Sequence, residues 1–130
     1  MKKVLLLGLL PSVVDLSRFP GMTVENLSRS LEAQEKALCD LGLDARWCLV
    51  DLGETAEAVA RAALQAKVHD VVLIGAGVRV VPEYLALFEK LVNLVHEHAP
   101  RAKICFNTRP DDTREAVLRW IDPPSAADRE

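Results

Sequence analysis

The sequence predicts a three-layer α/β domain, and three observations carry that expectation. Four short apolar runs alternate with four helical patterns, which is the order of a parallel sheet with crossover helices. Two of the runs, residues 2–7 and 71–75, are almost unbroken Val, Leu and Ile, as strands are when both faces are covered. The other two, residues 45–50 with Arg46 and residues 103–106 with Lys103, carry a basic residue within or beside the run, as edge strands do.

Central and edge strands so assigned give the order 2-1-3-4, a short flavodoxin-like or Rossmann-like sheet of four parallel strands with helices on both faces. Helix one starts after Thr23, a good cap. It lines up Val24, Leu27, Leu31, Ala37, Leu38 and Leu41 on one face, with Glu25, Arg29, Glu32 and Lys36 on the other, and ends at Gly42. Helix two, residues 55–67, is alanine-rich and can lie close to the sheet. Helix three opens at Pro82, a favoured first-turn residue, and runs to His98 ahead of Pro100. Helix four begins at Asp111 or Asp112, and Asp112 with Glu115 has the spacing of a capping box. A single domain over residues 1–121 is expected, followed by a mobile tail over residues 122–130.

The 130 residues are half hydrophobic and 27% charged with a formal net charge of −3, a profile of folded rather than disordered chains. Acidic and basic residues are interspersed and no basic face stands out, so nucleic acid is not an expected partner. Cys39, Cys48 and Cys105 are odd in number, widely spaced and set among apolar residues, which fits reduced thiols in a cytoplasmic protein. Lys2-Lys3 followed by the apolar run 4–10 has the outline of a signal peptide. Pro11 and Asp15 end it early, no small-residue cleavage pattern follows, and it is far short of the ~20 residues of a membrane span. A buried first strand is the better reading, with no membrane partner.

In such a sheet ligands bind outside the carboxyl ends of the strands where the strand order reverses, here between strands one and three. The loop after strand one, residues 8–22, is long for its kind and offers Ser12, Asp15 and Arg18. After strand three come Gly75, Gly77 and Arg79, ahead of a helix start. Neighbouring strand ends add Asp51, Glu54, Asn107, Thr108 and Arg109. A dinucleotide fingerprint would need glycine at Val80, a place after the first strand, and an acidic residue at a strand end ~20 positions on, and none of these holds. What remains is a glycine turn with an arginine, suited to a small anionic or phosphorylated ligand. Gly75, Gly77 and Arg79 are then the anion contacts, and Ser12, Asp15 and Asn107 the polar partners. The competing reading has glycines that only turn the chain and Arg79 paired with Glu83 or Asp51.

Two other functional classes stay open. Asp15, Asp51 and Glu54 could act with a metal or as general bases, although Glu54, Asp111 and Asp112 also suit helix starts. No metal site or cofactor is identified. His69, His96 and His98 fall on the sheet edge opposite the crevice and read as solvated surface residues, so a histidine-activated nucleophile is not expected there. Helix three carries more apolar residues than one stripe needs, which suggests a homodimer formed through Tyr84, Phe88, Leu91 and Val95.

Val71-Val72-Leu73-Ile74-Gly75, the helix after it, Ala99-Pro100-Arg101-Ala102-Lys103 and Ile104-Cys105-Phe106-Asn107 together resemble the central part of SGNH-type hydrolases. The resemblance covers about a third of the chain, residues 70–110. It implies a related α/β architecture and argues against that family's hydrolysis. The nucleophilic serine would fall at Leu10, the oxyanion asparagine at Gly77, and no Asp-x-x-His follows strand four. The chain is also similar overall to small bacterial α/β proteins, a likeness that implies no activity.

Overall fold

The computed structural model describes residues 1–128, and the last two positions of the expected tail, 129 and 130, lie outside the described residues. Four strands, β1 (Lys3–Leu9), β2 (Asp44–Val50), β3 (Val71–Ile74) and β4 (Lys103–Phe106), form one parallel sheet in the order β2-β1-β3-β4. The arrangement is the expected three-layer α/β fold.

Helices α1 (Val24–Asp40), α2 (Ala56–Ala66), α4 (Leu85–His98) and α5 (Thr113–Leu118), with the single turn α3 (Ala76–Arg79), cover the sheet. Side chains along β1 alternate between two clusters. Leu5, Leu7 and Leu9 join Ala60 and Leu64 of α2 and Leu91 and Val95 of α4, whereas Val4 and Leu6 join Leu38 of α1 and Ala116 and Val117 of α5. Every residue of β3 is fully buried, as is the stretch 4–9 of β1 apart from a few per cent of Leu5 and Leu9.

Local chemistry fixes the helix ends. The Thr23 hydroxyl accepts the Asn26 amide at 3.0 Å and starts α1. At its other end Gly42, at φ +90°, lets the Leu43 amide reach the Leu38 carbonyl and the Gly42 amide the Cys39 carbonyl, a Schellman closure. α1 in turn caps α5, because the Gln34 amide oxygen accepts the Arg114 N–H at 2.8 Å.

Three local expectations are corrected. Pro82 opens only a short 3-10 turn, Pro82–Tyr84, and α4 proper begins at Leu85. The helical turn that follows β3 ends before it, because proline forces the preceding Val81 into an extended conformation at φ −94°, ψ 115°. Asp112 does not reach forward to Glu115. Its carboxylate turns back to accept the Thr108 and Arg109 amides and the Thr108 hydroxyl. Leu91 and Val95, expected on a dimer face, are 0% exposed inside the α2–α4 cluster, so they are spent on the chain's own core, while Tyr84 and Phe88 pack half-buried beside them. Among the described residues no helix is long and apolar enough to cross a membrane.

Candidate functional site

The crevice at the carboxyl ends of β1 and β3 is built by two glycines. Gly8 pairs in register with Leu49, and Leu7 pairs with Ile74, so the next residues, Gly8 and Gly75, stand side by side on the α1 face of the sheet. A Cβ built on Gly75 would lie 3.7 Å from the Gly8 Cα. With no side chain at either position, the sheet has a shallow floor where its neighbours would project. Leu27 and Leu31 of α1, Trp47 and Leu49 of β2, and Phe19 and Met22 of the long loop wall the space above it. The cavity holds about 40 Å³ and its walls are mostly apolar. That is room for roughly three water-sized groups.

Trp47 sets one wall and is fixed at both of its N–H groups. Its backbone amide donates to the Glu35 carboxylate and its indole to the Leu31 carbonyl, each at 2.8 Å. Asn107 sets the opposite wall. Only 3% exposed, it accepts the Ala76 amide at 2.7 Å through Oδ1 and donates to the Thr113 hydroxyl at 2.9 Å through Nδ2. That bond holds the first amide of α3 against the end of β4 and turns the chain helical directly after β3.

The glycine pair is therefore not a turn in the conformational sense. Gly75 sits at φ −71°, ψ 153°, and among the described residues only Gly21 and Gly42 adopt positive φ. What Gly75 and Gly77 contribute is the missing side chain. Both line the cavity, as does Asn107, whereas Ser12, Asp15 and Arg79 do not.

Arg79 pairs with neither Glu83 nor Asp51. Its Nη2 donates to the Asn107 carbonyl at 2.8 Å and its guanidinium carbon lies 5.8 Å from the centre of the Phe106 ring. Its Nε is buried without a hydrogen-bond partner. Glu83 instead faces Arg18 at 3.8 Å.

Ser12 is exposed in the 3-10 turn Pro11–Val13. Asp15 caps the next turn: it accepts the Ser17 hydroxyl at 2.5 Å and the Ser17 amide at 3.2 Å, with Arg18 at 3.5 Å. The Ser17 hydroxyl bond above all holds its carboxyl below the usual range. Asp51 accepts the Gly53 amide at 3.0 Å and the Thr55 hydroxyl at 2.8 Å. Each acid braces its own loop, and among the described residues no three His, Cys, Asp or Glu side chains gather as a metal site would need. Two of the thiols are held in the protonated form: burial pushes Cys48 up and Cys105 up to about 12.

The histidines do lie at the edge opposite the crevice, but two of them are not solvated. His69 is 6% exposed, and the His98 side chain is 16% exposed. His69 lies in the loop between α2 and β3 and His98 ends α4, and both border one groove.

The residues missed by sequence reading are Gly8, Trp47 and the α1 leucines. One signal was present: Val4-Leu5-Leu6-Leu7-Gly8 and Val71-Val72-Leu73-Ile74-Gly75 share four apolar residues followed by glycine, which in neighbouring parallel strands puts the glycines level. No protein-family model matches the chain, and no curated protein matches it.

Proposed function

We propose that this chain binds a small anionic molecule at the carboxyl ends of β1 and β3, with its compact apolar part in the glycine-floored cavity and its charged group at the rim, where Arg79 meets the Asn107 carbonyl. The observation that carries the reading is the level pair Gly8 and Gly75, which leaves a walled space at the point where strand order reverses. Support for the anionic half comes from Arg79, a half-buried guanidinium with no carboxylate partner among the described residues. Binding without hydrolysis agrees with Leu10 and Gly77 standing where the resembled hydrolases carry nucleophile and oxyanion asparagine.

The test is thermal unfolding against short-chain and aromatic carboxylates and their neutral amides, at constant ionic strength. A ligand held only by the native state stabilises it by about 2.7 kcal/mol at a hundred times its Kd. The expected result is a saturable shift that Gly75→Ala abolishes by filling the floor, and that Arg79→Ala abolishes for the carboxylates alone. Equal shifts in wild type and Gly75→Ala would overturn the cavity as the site.

A further inference from the structure

The long connection after β1 is held to the rest of the chain by very little. Its fixed points are Leu10, whose amide donates to the Val50 carbonyl at 2.9 Å, and Thr23, the cap of α1. Between them the Val13, Val14, Arg18, Phe19 and Met22 amides all donate to carbonyls of residues 10–19, within the same stretch. Asp15 likewise takes its hydrogen bonds from Ser17. Among the described residues, the one polar link from residues 11–22 to another element is the pair Arg18–Glu83 at 3.8 Å, and both side chains are exposed. No residue of the stretch is fully buried.

That same stretch carries Val14, Phe19 and Met22 over the glycine-floored cavity. The other walls stand on strands and helices or, like Pro110, in a turn bonded to α5. A segment with few buried contacts and no hydrogen bonds to its surroundings opens at a small fraction of the free energy that unfolds a domain. It is therefore the wall that moves without breaking a strand or a helix. Gly21 supplies a joint beside α1. It sits at φ +83°, and a Cβ there would meet nothing within 4 Å, so glycine is required by the backbone conformation and not by a neighbour.

Taking the crevice as the ligand site, we infer that residues 11–22 form a gate over it. Opening parts Arg18 from Glu83, turns the backbone at Gly21 and lifts Val14, Phe19 and Met22 off the cavity. Closing packs Phe19 and Met22 against the apolar part of whatever has entered.

The test is the rate at which iodoacetamide, a small neutral alkylating reagent, reaches a thiol under the gate. Gly75→Cys plants that thiol on the cavity floor, where the nearest atom to the added Cβ is the Leu7 carbonyl oxygen at 3.5 Å. Leu27→Cys plants one on the α1 wall and serves if the first variant disturbs the floor. Peptide mapping reads each cysteine separately, and Cys105, 1% exposed in the cluster on the α1–α5 face, reports unfolding of the whole domain. The introduced thiol should react at least tenfold more slowly than in the urea-unfolded chain and at least tenfold faster than Cys105, as local opening requires. Gly21→Ala, which strains the closed backbone, should speed it about fivefold or more, and Gly21→Asn, a residue that visits positive φ, should bring the rate back toward wild type. Arg18→Ala, which removes an exposed ion pair, should speed it about twofold. A rate equal to that of the unfolded chain, a rate equal to that of Cys105, or one that neither Gly21→Ala nor Arg18→Ala changes would overturn the gate. Iodoacetamide reports opening with no crevice ligand present, so a gate that fails and a ligand site that fails are told apart.

Discussion

One methyl group added at Gly8 and one added at Gly75 are expected to differ in what they disturb, the first the packing and the second the cavity. At Gly8 a Cβ would stand 3.0 Å from the Trp47 ring, which cannot swing away while both of its N–H groups are held. Gly8→Ala is therefore expected to cost about 1–3 kcal/mol by overpacking, read as a lowered urea midpoint and altered Trp47 fluorescence. At Gly75 the closest atom is the Leu7 carbonyl oxygen at 3.5 Å and the backbone is already in a region open to alanine. Gly75→Ala is expected to stay within about 1 kcal/mol of wild type while losing cavity ligands. Asn107→Ala removes the acceptor of a buried amide and the donor to Thr113 together, and should cost about 2 kcal/mol in the same unfolding assay.

At the level of elements, the two outer strands are guarded by side chains from the flanking helices. Glu35 of α1 occupies the outward amide of Trp47 on β2, and Arg119, just beyond α5, donates to the Phe106 carbonyl at the end of β4. Glu35→Ala should cost about 1 kcal/mol for the freed amide and expose a strand edge to pairing between copies, seen as scattering that rises with protein concentration. Strand order was legible because β1 and β3 are apolar on both faces while Arg46 and Lys103 mark the rims. The helical turn after β3 was not legible, since the acceptor that starts it, Asn107, is 31 residues downstream of Ala76. Gly75 read as a turn residue for a related reason: sequence shows that a side chain is missing, not whether the backbone or the space beside it required the omission. Trp47 read as part of an ordinary edge strand, because its role depends on facing two glycines across the sheet.

The whole molecule should feel the burial of His69 through its pH dependence. Its folded pKa lies below the unfolded value of 6.5, burial being the main cause, so the unfolded chain binds more protons in the window between the two. Stability then rises with pH through that window and is lost as pH falls below about 6.5 toward the folded pKa. Asp15, Asp44 and Asp112 are depressed below 3.8 and act only in more acid solution, so they leave this window clear. Urea unfolding at pH 7.5, 6.5 and 5.5 should show the decline in wild type and a shallower one in His69→Gln. The expectation that His69 was solvated failed because burial of a loop between helix and strand depends on how the helix ends pack, which no local pattern encodes.

β1 sends alternate side chains into both hydrophobic clusters and hydrogen-bonds to a strand on each side. No partial opening that peels away one helical layer can bare its amides, since the other layer and both neighbouring strands still cover them. Deuterium should therefore enter residues 4–9 only when the entire domain unfolds, and the exchange free energy of those amides should equal the global stability measured in urea.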